Sequence, residues 1–382
     1  MTAASDARDP EQLVARAWLD ANGYGTGFRD DIHPDDDMYR TIRDYPVPPE
    51  EYRLRYFLHG EEGVRALRHA LRLAGPPLAE RRRVLEFACG YGRATRFLVR
   101  DVPPERLYTS DILAEGVDFV ARTWGTHGFV STTRPDELRF PADFDAIWVG
   151  SLFSHLPRPR FEGWLAKLHG ALAPGGVLLF TTHAWDALPG GAPPPSAPSG
   201  DGFAFLSQSE SARLDLAEYG ATYARPPVVA EIAARCSVRH LYRVERDLWT
   251  LQDLYAATTG PCPALESWTS TPTVRGAIET LRREPQHLWI GGWAEAVGSD
   301  SPLREIRLLF DGQDACGVQL GPVIEREPAR PRRDARCVQE WYVEGPLPAL
   351  QPGLHTIAAV AVTASGDRQC FAVRLLPGGA GA

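Results

Sequence analysis

A glycine-rich turn between a predicted buried strand and a predicted helix is the first feature with the chemistry of a binding site. Gly90 and Gly92 follow the apolar run 84–88, which predicts the strand. Glycine has no Cβ, so the backbone there can turn sharply and lie against a ligand. Asp111 ends the next predicted strand, where a carboxylate can accept hydrogen bonds from both hydroxyls of a ribose. This layout suits a nicotinamide dinucleotide or S-adenosylmethionine.

Two details of the same segment separate these cofactors. The third glycine of a dinucleotide fingerprint is absent, because Thr95 stands in its place. Glu86 lies inside the first strand, shortly before the glycines. Its charge would repel a pyrophosphate but attract the ammonium and sulfonium groups of S-adenosylmethionine. The residues therefore favour S-adenosylmethionine, and a dinucleotide-dependent dehydrogenase is the alternative.

Strands and helices alternate from residue 84 onward, which predicts βαβ units and a mainly parallel sheet. A closing hairpin is predicted at 239–249 and 252–257, and a helix is predicted at 114–124. In such a sheet, ligands bind at the carboxyl ends of the strands, where the strand order reverses. The predicted parallel strands cover residues 84–88, 107–111, 129–131, 144–150 and 177–182.

The sequence is expected to divide into an N-terminal cap, an α/β domain that contains this sheet, a linker and a C-terminal β domain. Residues 1–78 are mostly helical in pattern and are expected to form an N-terminal cap. The α/β domain is expected at 79–258, and its Pro- and Gly-rich insertion within 184–225 is interpreted as a lid. Residues 259–284 are interpreted as a linker that contains a short helix near 274–283. Residues 285–377 show period-two apolar patterns and turn signals, which predict a small antiparallel β-sandwich.

Four segments, in chain order, resemble the motifs of class I S-adenosylmethionine-dependent methyltransferases. They are the glycine-rich first motif Glu86–Arg93, the acidic Asp111, the fourth motif Phe144–Pro157 and the "L-x-P-G-G" segment Leu172–Leu178. The resemblance covers roughly residues 39–257. It implies a doubly wound seven-stranded sheet of order 3-2-1-4-5-7-6, with S-adenosyl-L-methionine as the cofactor.

A bacterial subgroup of that family has the motifs "GSLxTHL", "TTHG" and "W-x-x-HQDV". Residues 150–156, 181–184 and 249–254 resemble them, although Leu251 stands where the last motif has histidine. The subgroup resemblance and the sandwich motivate methyl transfer to a hydroxyl or amine of a glycan or sugar-containing metabolite. The alternatives are a natural-product methyltransferase with no sugar in its acceptor, and a non-catalytic module that binds the cofactor or a glycan.

The resemblance also implies roles for individual residues in cofactor binding. The backbone at Ala88, Gly90 and Gly92 is expected to line the methionine part, and Glu86 to lie near the ammonium group. Asp111 is expected to bind the ribose. The remaining residues of the expected cofactor set are Ile112 beside the adenine, Tyr56 in a segment that closes over the carboxylate, and Ser151 in the fourth motif.

Two histidines are candidates for the proton transfer that an oxygen acceptor requires. His155 follows the fourth strand and could be the general base, or it could bond a neighbouring carbonyl at a helix start. His183 ends the fifth strand and is expected to face the same cleft. Tyr219 and Tyr223, after the insertion, could shape the acceptor pocket or could serve only in packing.

Composition excludes several other classes of protein. The 382 residues carry 41 basic and 49 acidic side chains, a net charge of −8, which disfavours a general nucleic-acid clamp. No window has the ~20 apolar residues of a membrane helix. The N-terminal residues lack the apolar core of a secretory signal, so the expected location is cytoplasmic. The six cysteines form no Cys-x-x-Cys pair, and no metal site is predicted.

Trp289 and Trp293 stand four residues apart in the first strand predicted for the sandwich, so they share one face. An exposed pair would suggest stacking against carbohydrate. A buried pair is favoured, because small sandwiches use tryptophan in their cores.

Overall fold

The computed structural model describes residues 9–186, 202–209, 211, 213–249, 251–284, 287–298, 303–325, 337–346 and 352–378. The chain divides into two compact units. We call one the α/β unit (Asp30–Asp44 and Tyr56–Ser270) and the other the β unit (Met1–Arg29, Tyr45–Arg55 and Thr271–Ala382). Most of the loop predicted at 189–202 lies outside the described residues. Among the described residues, no helix combines the length and the hydropathy that a membrane crossing requires.

The helices of the described residues are short, apart from the third. In chain order they are α1 (Pro10–Ala21), α2 (Asp37–Ile42), α3 (Tyr52–Ala74), α4 (Thr95–Leu98), α5 (Ala114–Trp124), α6 (Arg158–His169) and α7 (Pro226–Arg235). Helix α4 is shorter than the helix predicted after the glycine-rich turn, because residues 91–94 continue as turns before it begins.

In the described part of the α/β unit, nine strands form the sheet. They are β1 (Val84–Phe87), β2 (Leu107–Asp111), β3 (His127–Val130), β4 (Phe144–Val149), β5 (Leu172–His183), β6 (Phe203–Leu206), β7 (Ala221–Ala224), β8 (His240–Leu248) and β9 (Gln252–Thr258).

The main strands of this sheet have the predicted order. Parallel strands run β3-β2-β1-β4-β5, β9 pairs antiparallel with β5, and β8 pairs antiparallel with β9. Strands β8 and β9 are the predicted closing hairpin, and they take the sixth and seventh places of the expected order 3-2-1-4-5-7-6. The fold class is therefore confirmed. Strands β6 and β7 add a hairpin within the predicted insertion, and β7 meets the end of β5 at the pair His183–Tyr223.

Strand β1 lies at the centre of the sheet, between β2 and β4. All four of its residues are buried, as expected for a parallel strand that is covered on both faces. The chain proceeds from β1 to β2 and β3 on one side, and returns to β4 and β5 on the other. The strand order therefore reverses beside β1, and a ligand crevice is expected at the carboxyl ends of β1 and β4.

The β unit contains one antiparallel seven-stranded sheet, ordered β10-β11-β14-β13-β12-β15-β16. Its strands are β10 (Thr273–Arg283), β11 (His287–Val297), β12 (Glu305–Phe310), β13 (Gln313–Glu325), β14 (Cys337–Pro346), β15 (Gly353–Val362) and β16 (Arg368–Gly378). The all-β character of this region is confirmed.

Strand β10 occupies the place of the short helix predicted near 274–283, so that prediction was wrong. Val274 and Ile278 are both buried, and their spacing of four residues places two side chains on one face of a helix or of a strand. The long antiparallel pairing of β10 with β11 decides between these two possibilities.

Trp289 and Trp293 are not core residues, which corrects the favoured prediction of a buried pair. The core face of β11 carries Leu288, Ile290 and Ala294, whereas both tryptophans are only half-buried. The Arg282 guanidinium lies 5.4 Å from the centre of a Trp289 ring. Trp341, which is 2% exposed, belongs to the core cluster that includes Leu288, Ile290 and Ala294.

Helix α1 belongs to the β unit, so the predicted N-terminal cap at 1–78 is divided between the two units. The indole of Trp18 is buried, and its Nε1 donates to the Cys370 carbonyl oxygen at 2.9 Å. The Asn22 side chain accepts from the Cys370 amide at 3.0 Å, so it satisfies a backbone group of β16. These contacts join residues 348 and 352 positions apart, which a local sequence pattern cannot indicate.

We expect Trp18→Ala to lower the free energy of unfolding of the β unit by about 3–5 kcal/mol, because it removes a fully buried indole. Chemical denaturation measures this loss. Trp289→Ala removes the same side chain from a half-buried position and is the matched control, with a smaller expected effect. Equal losses of unfolding free energy from the two substitutions would contradict the packing of α1 against β16.

Candidate functional site

A cavity opens at the carboxyl ends of β1, β2 and β4, where the strand order reverses. Its walls come from the turn after β1, the residues that follow β2, β3 and β4, helix α3, and residues 211 and 213–219. Residues that line it include Met38, His59, Glu86, Ala88, Gly90, Arg93, Asp111, Ile112, Ser131, Ser151, His155, Arg160, Arg213, Tyr219 and Trp249.

The turn after β1 brings the main chain to the cavity surface. Ala88 has a φ of 63° and Gly90 a φ of 53°, both in the left-handed region. A Cβ built on Gly90 would meet no atom within 4 Å, so this face of the turn is open for a ligand. A left-handed alanine is strained by about 1–3 kcal/mol, and such strain concentrates at functional sites.

Gly92 serves packing instead of lining the cavity. Its φ is 80°, and a Cβ there would lie 2.5 Å from the Trp124 ring of α5. It is absent from the residues that line the cavity. The glycine allows α5 to approach the turn, so the structure separates Gly92 from the expected cofactor contacts.

Asp111 is fixed at the end of β2 by the backbone. Its Oδ2 accepts from the Gly90 amide at 2.8 Å, and its Oδ1 accepts from the Leu113 amide at 2.9 Å. Burial raises the pKa of this carboxyl, and the backbone amides oppose that change. Each carboxylate oxygen has a further lone pair. The Asp111 carboxylate is thus preorganised at the cavity wall, beside Ile112, with acceptor capacity for a ribose diol.

Glu86 is a buried carboxyl that faces the cavity from β1. It is 3% exposed, and the Thr95 hydroxyl donates to its Oε2 at 2.5 Å. Burial raises the pKa of Glu86 to about 8. A carboxyl of this kind favours a cation beside it, because a nearby positive charge stabilises the ionised form.

Tyr56 lies behind the cavity wall. It is fully buried, and its hydroxyl donates to Asp36 Oδ2 at 2.5 Å. Asp36 in turn accepts from the Met38 and Tyr39 amides at the start of α2, and it lines the cavity. The structure therefore places Tyr56 in support of Asp36 and not among the lining residues.

His155 lies on the cavity wall with its ring held from two sides. Its Nδ1 is 2.7 Å from the Gly220 carbonyl oxygen, which can only accept, so Nδ1 carries a proton. In the neutral ring, Nε2 then holds the lone pair, and it lies 3.4 Å from Ser151 Oγ. The Tyr219 ring stacks on the imidazole at 4.6 Å between centroids and an angle of 10°. This geometry suits a proton acceptor.

His183 and Tyr223 form a second stacked pair that does not line the cavity. Their centroids are 5.0 Å apart, and the His183 ring centroid is 5.7 Å from that of His155. Burial, with a smaller contribution from His155, lowers the pKa of His183 to about 4, so its ring is neutral at pH 7. Of the predicted catalytic and acceptor-pocket residues, only His155 and Tyr219 line the cavity.

The segment 213–218 contributes cavity residues that the sequence did not indicate. Arg213 donates to Asp37 at 2.9 Å and to the Tyr91 hydroxyl at 2.9 Å. Arg160 pairs with Glu218 at 2.5 Å. These pairs connect the segment to distant parts of the same unit, and the only signal available in the sequence was the composition of the insertion.

Trp249 and Arg93 also belong to this cavity and were missed. Trp249 Nε1 donates to the His59 carbonyl oxygen at 3.0 Å, and the Arg93 guanidinium lies 5.2 Å from the centre of a Trp249 ring. The resemblance of residues 249–254 to a hairpin motif was the signal that could have identified Trp249.

Comparison with known proteins adds a family match. Residues 84–176 match the family described as "Methyltransferase domain". The chain is 36% identical over 105 residues to "Fatty-acid O-methyltransferase" of Mycolicibacterium smegmatis, a match that covers 27% of this chain and 37% of that protein. It is 30% identical over 124 residues to "Trans-aconitate 2-methyltransferase" of Rhodopseudomonas palustris, covering 32% of this chain and 46% of that protein. The chain thus spans less than half the length of these relatives.

The solved structures to which this chain is similar include N-methyltransferase NodS from Bradyrhizobium japonicum in complex with S-adenosyl-L-homocysteine. The similarity is 17% in identity with a TM-score of 0.36, and covers 59% of this chain and all of that one. Residues 84–176 of the α/β unit thus match a methyltransferase domain, and the cofactor expected from the sequence is S-adenosylmethionine. The residues of the cavity fit this cofactor: Glu86 supplies a buried carboxyl for a cation, and Asp111 supplies fixed acceptors for a ribose.

Proposed function

We propose that the chain is an S-adenosylmethionine-dependent methyltransferase that methylates an oxygen atom, with His155 as the general base. The observation that carries the proposal is the orientation of the His155 ring, whose Nδ1 is committed to the Gly220 carbonyl while Nε2 is turned toward Ser151 at the cavity wall. The methyltransferase family match and the fixed Asp111 carboxylate support the cofactor.

The residues divide the work of the reaction between binding and proton transfer. Asp111 accepts from the ribose hydroxyls, and ionised Glu86 balances positive charge next to the left-handed turn. The bound cofactor supplies a methyl group on a sulfonium, which is a good leaving group, so alignment is the main demand on the protein. His155 Nε2 takes the hydroxyl proton of the acceptor, and the Gly220 carbonyl stabilises the imidazolium through Nδ1.

The acceptor class that we propose is a hydroxyl of a sugar-containing compound. A hydroxyl must lose its proton on methylation, which gives His155 a task. Trp289 and Trp293 share one face of β11 and are half-buried, so part of each ring is accessible, and aromatic rings can pack against the apolar faces of sugars. The natural-product acceptor without sugar is the nearest alternative.

A carboxylate acceptor is the second candidate, and two observations favour it. The names of both curated relatives indicate acids as acceptors. Arg93, Arg160 and Arg213 line the cavity. However, Arg160 is paired with Glu218, and Arg213 with Asp37, which reduces their attraction for a second anion. A carboxylate carries no proton at pH 7 and would not require His155.

Incubation with methyl-labelled S-adenosylmethionine and matched panels of sugars, non-sugar alcohols and carboxylic acids tests the proposal. We expect labelled ether products from hydroxyl acceptors, identified by a mass gain of one methylene unit. Methyl esters as the sole products would replace the hydroxyl by the carboxylate. Cofactor binding without turnover on any panel would favour the non-catalytic module.

Cofactor binding should release a proton from Glu86. With a pKa of about 8, this carboxyl is mostly protonated at pH 7 in the free protein, and the positive charges of the cofactor lower its pKa. Affinity should therefore rise as the pH increases toward 8 and become level above it. Calorimetry in buffers of different ionisation enthalpy measures the protons released. Glu86→Gln should abolish this contribution, and an unchanged proton release in that variant would refute the assignment.

A further inference from the structure

The hydrogen bonds beside His155 extend to Ser151, which was expected only in the cofactor set, and to Gln252, which has so far had no role. We infer that Gln252 and Ser151 are positioning residues that hold the His155 Nε2 lone pair toward the acceptor oxygen in the cavity. The inference rests on the proposed function, because it concerns the base of that reaction.

The first link of this chain is the contact between Gln252 and Ser151. Gln252 Nε2 donates to Ser151 Oγ at 2.9 Å. Ser151 Oγ is also 3.1 Å from Ser154 Oγ and 3.4 Å from His155 Nε2. Ser154 donates its own proton to the Ser151 carbonyl oxygen at 2.9 Å, so its Oγ is available as an acceptor. The Ser151 proton therefore has two acceptors, Ser154 Oγ and His155 Nε2.

This arrangement serves both protonation states of His155. Before the acceptor binds, Ser151 can donate to Nε2 of the neutral ring and hold its orientation. Nε2 has a single lone pair, so the acceptor hydroxyl takes this place when it binds, and the Ser151 proton turns to Ser154. During the reaction the acceptor O–H bond breaks and its proton moves to Nε2, while the O–CH₃ bond forms and the S–CH₃ bond breaks. Ser151 Oγ, whose own proton then points to Ser154, can accept from the protonated Nε2. A hydroxyl can make this exchange, and a fixed donor cannot.

The backbone holds Ser151 in an unusual conformation at this position. Its φ is 62°, which is in the left-handed region, and its amide donates to Thr181 Oγ1 at 2.7 Å. Strain of about 1–3 kcal/mol in such a residue persists only where the surroundings fix it, and it concentrates at functional sites. The strained backbone places Ser151 Oγ between Gln252 and His155.

Gln252 is the second unusual feature, because part of its amide is left without a partner. The side chain is 4% exposed, and its Oε1 has no hydrogen-bond partner among the residues that the structure describes. A buried unsatisfied polar atom costs about 1–3 kcal/mol, which an apolar side chain at the start of β9 would avoid. The donation from Gln252 Nε2 to Ser151 is a contact that an apolar side chain could not make.

Gln252→Leu and Gln252→Glu test the inference in opposite directions. Leucine removes the donor to Ser151, so kcat should fall by about 10- to 100-fold through poorer alignment of His155, with unchanged affinity for S-adenosylhomocysteine. Ionised glutamate accepts the Ser151 proton and adds a negative charge near the ring. It should stabilise the imidazolium and shift the acidic limb of the pH–rate profile to higher pH.

The His155 ring can be followed independently of turnover by NMR of selectively labelled imidazoles. Gln252→Glu should raise the pH of its titration midpoint, whereas Gln252→Leu should not. The titratable rings against His155 are Tyr219 and His183, and neither is changed in these variants. Thr258→Val, at the other end of β9, is the control for general damage to the strand and should leave the midpoint in place.

The outcomes separate this inference from the proposed function. If the wild-type protein methylates a hydroxyl acceptor, and both Gln252 variants keep its rate and pH profile, the positioning role is wrong and the function stands. If the wild-type protein methylates nothing, the proposed function fails. An unchanged His155 midpoint in Gln252→Glu would overturn the positioning role in that case too.

Discussion

His155→Gln is expected to lower kcat with a hydroxyl acceptor by about 10²- to 10⁴-fold, the usual contribution of a general base. Glutamine has a comparable length and retains hydrogen-bonding groups, but it cannot take a proton at the position of Nε2. The affinity for the cofactor should be retained, because the expected ribose and ammonium contacts are made by other residues. Steady-state kinetics for turnover and calorimetry with S-adenosylhomocysteine for affinity separate the two effects.

His183→Gln is the matched control for this substitution. His183 contacts His155 but does not line the cavity, and its ring is neutral at pH 7. We expect a loss in kcat much smaller than that of His155→Gln. Full activity of His155→Gln with a hydroxyl acceptor would exclude the general base. Full activity with a carboxylic acid alone would support the second candidate function.

Asp111→Ala should weaken binding of S-adenosylmethionine by about 10- to 150-fold, which corresponds to about 1.5–3 kcal/mol for hydrogen bonds to a charged group. The same substitution leaves the Gly90 and Leu113 amides without their acceptor, so the turn after β1 loses its fixed position. Asp111→Asn keeps one carbonyl oxygen and should give an intermediate affinity. Calorimetric titration measures the affinities, and thermal unfolding reports any loss of stability.

Asp118→Ala removes an exposed carboxylate from α5 and is the control for the change in net charge. It should leave the affinity within about twofold, because interactions of exposed charges are strongly screened. If Asp111→Ala bound the cofactor as well as Asp118→Ala does, the ribose role of Asp111 would be wrong.

The central sheet and part of the site could be predicted because their signals are local. Glu86 lies in β1, Gly90 in the turn after it, and Asp111 at the end of β2. Parallel strands bring their carboxyl ends to one edge of the sheet. The alternation of strands and helices predicted a mainly parallel sheet, and the resemblance to class I methyltransferases implied the order of its strands. Sequence spacing could not separate Gly90 from Gly92, because both have positive φ and only their neighbours differ.

Other parts of the structure depend on contacts between distant residues. Arg213 pairs with Asp37 across 176 positions, and Trp18 bonds Cys370 across 352 positions, so no periodic pattern indicates either contact. His155 follows β4 and His183 ends β5, so the sequence offered both as candidates for the base. Backbone carbonyls beside β7 bind both rings, Gly220 that of His155 and Thr222 that of His183. The two histidines differ because only His155 lies at the cavity wall.

The most direct test of the central claim is a crystal structure of the protein with S-adenosylhomocysteine. We expect both ribose hydroxyls on the Asp111 carboxylate, the ammonium group near Glu86, and the sulfur on the side of the cavity that carries Ser151 and His155. A nucleoside bound away from Asp111, or a crevice filled by protein side chains at saturating ligand, would contradict the account.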